Sequence, residues 1–67
     1  MQTVYITPYT VPSGQASAPS TPMQAASIKA AGGMMFSGAT PVIDRKRMLV
    51  FDVGGGNRVA ITDYAVA

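Results

Sequence analysis

Sixty-seven residues, a net charge of +2, and neither cysteine nor histidine set narrow limits on this chain. Disulfides, thiolate and imidazole metal sites, and nucleophiles activated by histidine are excluded. Only 12% of residues are charged, against 48% apolar, whereas a free-standing soluble domain usually carries about 25% charge; part of the surface is expected to be covered by something else.

A chain this short makes one domain at most and buries only roughly 60% of its unfolded surface. With no disulfide or metal to help, a partner is the expected source of the missing stability. The stretch MQTVYITP has neither the basic start nor the apolar run of a secretory signal. The chain reads as a complete small gene product that uses no membrane, cytoplasmic unless it belongs to a particle.

Residues 1–21, MQTVYITPYTVPSGQASAPST, come first. Val4 and Ile6 alternate with Thr3, Tyr5 and Thr7, and this β-branched and aromatic content predicts a short strand. Pro8 lacks an amide donor and is expected to end that strand or hold it at an edge. Residues 11–21 are almost all Pro, Ser, Ala, Gly, Gln and Thr, a composition that predicts an extended arm with no core of its own. Pro8, Pro12, Pro19 and Pro22 would partly pre-order it. Val4, Tyr5, Ile6 and Tyr9 are its candidate partner-binding residues.

Residues 22–39 are expected to form a short helix and an apolar connector. Thr21 has the character of an N-cap, Pro22 suits the first helical position, and Gln24 completes a capping-box spacing. Lys29 falls in the last turn, and Gly32 would supply the exit. Met34, Met35 and Phe36 follow. They would either plug a small core or offer anchors to a partner's pocket.

Residues 40–67 carry two β-rich runs separated by Gly54, Gly55 and Gly56. Pairing 42–53 with 57–66 so that Leu49 faces Ile61 and Phe51 faces Val59 makes one face apolar. The same register sets Asp52 opposite Arg58, and Arg47 near Asp63. Cross-strand charge pairs contribute about 0.2–1 kcal/mol each. The glycines would supply the positive φ angles of the hairpin turn.

The stretch LVFDVGGGN also resembles the second phosphate loop of the actin, sugar-kinase and heat-shock chaperone ATPase superfamily. That resemblance would give Asp52 to magnesium and Gly54, Gly55 and Gly56 to phosphates. It departs at Asn57, where the family prefers Thr, and the family's other phosphate loop is not in this sequence. Residues 52–57 are therefore expected to be a turn, with nucleotide binding a minor alternative. No cofactor, metal site or catalytic set is expected, since Asp52 and Asp63 are assigned to arginines and Ser27 and Lys29 would point to different sides of a helix.

The run DRKR remains. Arg45, Lys46 and Arg47 could dock on an acidic protein surface, contact nucleic-acid phosphates, or simply solvate a strand start. Together these features predict a mainly β chain: a C-terminal β-hairpin, one short helix and an extended N-terminal arm, without an independent compact core. Its expected role is non-enzymatic. It would bind and staple larger structural proteins of an assembly, or copies of itself, by adding a strand to a neighbour's sheet. The stretches TPYTVPSGQASAPSTP and VFDVGGGNRVAI look like those of minor structural, cementing or decoration proteins of bacteriophage particles. That resemblance implies a virion location and a capsid, tail or baseplate protein as host. A basic accessory protein of nucleic acid, acting through residues 45–47 and Arg58, is the alternative.

Overall fold

A computed structural model describes residues 1–11 and 13–65. Six elements run in chain order: β1 (Gln2–Thr10), β2 (Thr21–Ala25), α1 (Ile28–Met35), β3 (Ile43–Arg45), β4 (Met48–Gly54) and β5 (Asn57–Thr62). The strands form one antiparallel sheet in the order β2-β1-β5-β4-β3. The helix covers one face. Val4, Ala25, Ile28, Ala31, Leu49, Phe51 and Ile61 are buried between helix and sheet, with Ile6, Met23 and Phe36 packed against them.

The mainly β content and the single short helix are as the sequence predicts; the arrangement differs. The N-terminal segment is no free arm. β1 lies inside the sheet, with β2 on one side and β5 on the other, and so sends Val4 into the core. The radius of gyration is 10.9 Å, matching the roughly 11 Å of a folded domain of this length. The chain therefore closes a core of its own, because β1 and β2 supply apolar side chains that the expected arm would have left outside.

Residues 13–20 turn back on β1. Gly14, at φ +73°, donates its amide to Thr10 O, Thr10 donates to Gln15 O, and Ser17 donates to Pro8 O. Ala16 bridges to Tyr9, and the Thr7 and Ser20 hydroxyls lie 2.8 Å apart. The turn-back also explains why β1 runs through Pro8. The carbonyl of Pro8 points to this outer side, and in a strand the amide points the same way as the carbonyl. The missing donor thus falls on the loosely paired flank and costs the β5 ladder nothing. Pro12 and Val66, counted above in the arm and the last strand, lie outside the described residues.

The helix begins later than predicted. Thr21, Pro22 and Gln24 are in β2, where they pair with β1; Pro22 is on an edge strand, which tolerates it. Ser27 is the N-cap: it is extended at φ −163° and its hydroxyl accepts the Ala30 amide at 3.0 Å. Gly32 and Gly33 are inside the helix and do not end it. The first of the two β-rich runs, 42–53, is also divided, because Lys46 and Arg47 form a turn between β3 and β4. Neither has a positive φ. Two-residue hairpins favour turns in which both central residues do, in keeping with a β3 of three residues.

β4 and β5 pair with Leu49 opposite Ile61, Phe51 opposite Val59 and Asp52 opposite Arg58. They are not a separate C-terminal module, since β5 also carries β1 on its other edge. The three glycines divide the turn between them. Gly55 and Gly56, at φ +65° and +77°, connect the strands, whereas Gly54, at φ +90°, belongs to a register shift after Asp52.

Candidate functional site

The face of the sheet away from the helix holds the clearest constellation. Across the strands, Tyr5 stands opposite Thr62, Thr62 opposite Met48, and Met48 opposite Arg45. The next row is Thr7, Ala60, Val50 and Ile43. The third is Tyr9, Arg58 and Asp52, with Ala16 beyond Tyr9. Residues directly opposite share a face, so a row of small and aliphatic side chains runs between two rows of larger ones.

That middle row is deeply placed although no helix covers it: Thr7 is 2% exposed, Ala60 5% and Val50 1%. They floor a cavity of about 250 Å3. Tyr9 and Met48 stand beside it, and Gly14 and Ala16 of the folded-back segment close one side. The segment expected to reach outward thus builds a wall on the chain's own sheet.

Arg58 is the sheet neighbour of two residues that line this cavity, Tyr9 and Ala60. It lies across from Tyr9 and two residues from Ala60 on the same strand. Its Nε is 4.0 Å from Asp52 Oδ2, too long for a hydrogen bond. Asp52 Oδ1 instead accepts the Gly54 amide at 2.8 Å. Arg58 Nε is consequently buried without a hydrogen-bond partner among the described residues. Buried polar groups are nearly always paired, so this donor calls for an explanation.

The sequence-predicted partner residues scatter. Tyr5, Tyr9 and Arg45 come together on the open face. Val4 is fully buried in the core, whereas Ile6 and Phe36 are half-buried: Ile6 packs against the core, and Phe36 stacks on Phe51 with ring centroids 4.7 Å apart. Met34 and Met35 are exposed on the helix. The basic run is dispersed. Lys46 is in the turn, and Arg47 donates from Nε to Asp63 Oδ1 at 2.9 Å, with its guanidinium 5.2 Å from the Tyr64 ring centroid. Gly54, Gly55 and Gly56 form the turn region. Gly56 O accepts the Val11 amide at 2.8 Å, which ties that turn to the start of the folded-back segment.

Met48, Val50, Ala60 and Thr7 were not among the sequence candidates. Their signal is the parity of the strands: the residues between the core-facing ones line up across three strands once β1 is placed beside β5. A second cavity of about 270 Å3 lies between α1 and β4, over Leu49 and Phe51. Its charged neighbours, Lys29 and Asp44, are both exposed and opposite in sign. Among the described residues no group of acidic side chains could hold a metal ion, and no helix is long and apolar enough to cross a membrane. The chain matches no protein-family model, no curated protein and no solved structure.

Proposed function

We propose that this chain is a non-enzymatic accessory subunit that binds a larger protein subunit through the open face of its sheet. One juxtaposition carries the reading: Tyr5, Tyr9, Met48, Arg45 and Arg58 surround the buried floor of Thr7, Val50 and Ala60. Tyr, Met and Arg are enriched where protein interfaces are driest, and such side chains around a pocket are typical anchors. The face is favoured over strand addition at an edge. Tyr5 and Ile6 already have β2 and β5 on their two sides, and Thr3 and Val4 are paired with β2. The outer strands are blunted by Pro22 in β2 and by the shortness and charges of β3. The sequence likeness to small structural proteins of bacteriophage particles supports an assembly as the setting, with a capsid, tail or baseplate protein as host. The part of that likeness resting on a free arm is withdrawn, because the arm is folded.

A photo-reactive benzophenone side chain placed at Tyr5 tests this in the native complex, with one at Lys29, on the helix side, as control. A discrete cross-link to a larger protein from position 5 and none from position 29 is expected. Cross-links from position 29 alone, or from neither, would overturn the reading.

The same face supports a second reading. It sets Tyr9 directly across from Arg58, with Tyr5 and Arg45 at the two ends of another row, and aromatic rings and cations on one sheet face can hold single-stranded bases. A salt titration with a single-stranded oligonucleotide checks it: a slope near zero in log affinity against log salt removes it.

A further inference from the structure

We propose that the open-face cavity and Arg58 together recognise an acidic side chain carried on an extended, apolar segment of the partner protein. This deepens the reading above and rests on it. Three observations point the same way.

The first is the unpartnered donor. Arg58 Nε is buried and makes no hydrogen bond among the described residues, while the nearest carboxylate, Asp52, is held by the Gly54 amide. A carboxylate brought by a partner meets the exposed part of this side chain, which is 29% exposed, and draws the guanidinium into charge-assisted bonds, the strongest kind for this group. The second is charge: the face carries Arg45 and Arg58 against Asp52 alone, which leaves it complementary to an acidic segment. The third is shape. The rows containing Tyr5 and Tyr9 are four residues apart on β1, about 13 Å between their Cα atoms. Once the side chains of both rows are counted, a helix of about 10–12 Å diameter is too wide. One extended chain fits over Thr7, Ala60 and Val50, with Met48 and Ala16 beside it.

Two fluorescein-labelled heptapeptide pools test the inference on the intact chain. Both are randomised over Ala, Val, Ile and Ser; one has a central Glu and the other a central Gln. Fluorescence anisotropy should show the Glu pool binding about tenfold more tightly, the scale of one hydrogen bond to a charged group. Arg58→Met should remove the preference. Arg45→Ala should keep it, because Arg45 is two rows away, and this separates recognition by Arg58 from general attraction. Ala16→Leu, at an exposed position on the cavity wall, should weaken both pools without disturbing the core.

Equal binding of the two pools, or a Glu preference that survives Arg58→Met, would overturn the inference. So would binding of labelled decathymidylate that depends on Arg58 while neither pool binds, since that assigns the face to nucleic acid. Failure here, with the position-5 cross-link intact, leaves the accessory-subunit reading standing and removes only the acidic segment.

Discussion

Gly32 lies against the ring of Phe51: a Cβ built on it would stand 3.1 Å from both Cε1 and Cζ, and 3.4 Å from Leu49 Cδ1. The ring has little room to retreat, since Phe36 is stacked on it. Gly33, next in the helix, would meet nothing within 4 Å. Ala is favoured over Gly in a helix interior by about 1 kcal/mol, so Gly33→Ala is expected to stabilise by roughly that amount. Gly32→Ala gains the same propensity but forces an overpacked core, which typically costs about 1–3 kcal/mol. Thermal melts should place Gly32→Ala below Gly33→Ala by several degrees, as about 1 kcal/mol shifts Tm by roughly 4–8 °C in a domain of this size. Equal melting temperatures would contradict this packing.

Ser27, not Thr21, caps the helix. Ser27→Ala should therefore lower stability by about 0.5–2 kcal/mol. Thr21→Ala changes an exposed residue of an edge strand and should fall within about 0.5 kcal/mol of the parent. Urea denaturation of the two variants checks the start of the helix. The reverse order would restore a helix beginning at residue 22.

The folded-back segment makes a direct statement about amide exchange. Val11, Gly14 and Ser17 donate their amides to Gly56, Thr10 and Pro8 carbonyls at 2.7–2.8 Å. These three are expected to exchange more slowly than their neighbours Ser13 and Ala18 in hydrogen-exchange NMR. Uniformly fast exchange across 11–20 would show a free arm. Thr7→Val removes the hydroxyl that meets Ser20 and should speed exchange at Ser17 more than at Ile61 in the sheet centre.

The turn glycines are open to a conformational test. Gly55 has φ +65°, and a Cβ there would make only an ordinary contact with Asn57. The left-handed region costs most residues about 1–2 kcal/mol, whereas Asn enters it readily. Gly55→Asn should be close to neutral, and Gly55→Val should lose at least the full penalty. Gly56→Ala adds a 3.3 Å approach to Val11 O and is expected to cost more than Gly55→Ala by equilibrium unfolding. If the four variants were equally stable, the turn would not have this backbone.

The sheet was legible where local chemistry and long-range pairing agree. Leu49, Phe51, Val59 and Ile61 alternate in runs joined by glycines, so the relative register of 48–52 and 58–62 could be read directly. Residues 21–25 misled because Thr-Pro-x-Gln is a good helix start in isolation. The unpaired edge of β1 was a stronger claimant, and Ser27 could cap equally well six residues later. Residues 13–20 misled for a related reason. Pro, Ser and Ala carry no core signal, yet they need only a few amides and the Thr7 hydroxyl to lie along an existing strand. The open face was half visible: Tyr5, Tyr9 and Arg45 were singled out, but their neighbours depend on β1 lying beside β5. No local pattern encodes a pairing between residues some fifty positions apart.

That pairing governs how the molecule can be made. β1 meets β5 from Tyr5 opposite Thr62 to Thr10 opposite Asn57, so the earliest strand to leave a ribosome waits for the latest. Until residues 57–62 emerge, the two flanking hairpins have no strand to join them, and Val4 and Leu49 lack Ile61, which completes the core between them. Assembly is then one late, slow event dominated by distant contacts, and a nascent chain halted short of Asn57 exposes a sticky half-sheet for a chaperone to hold.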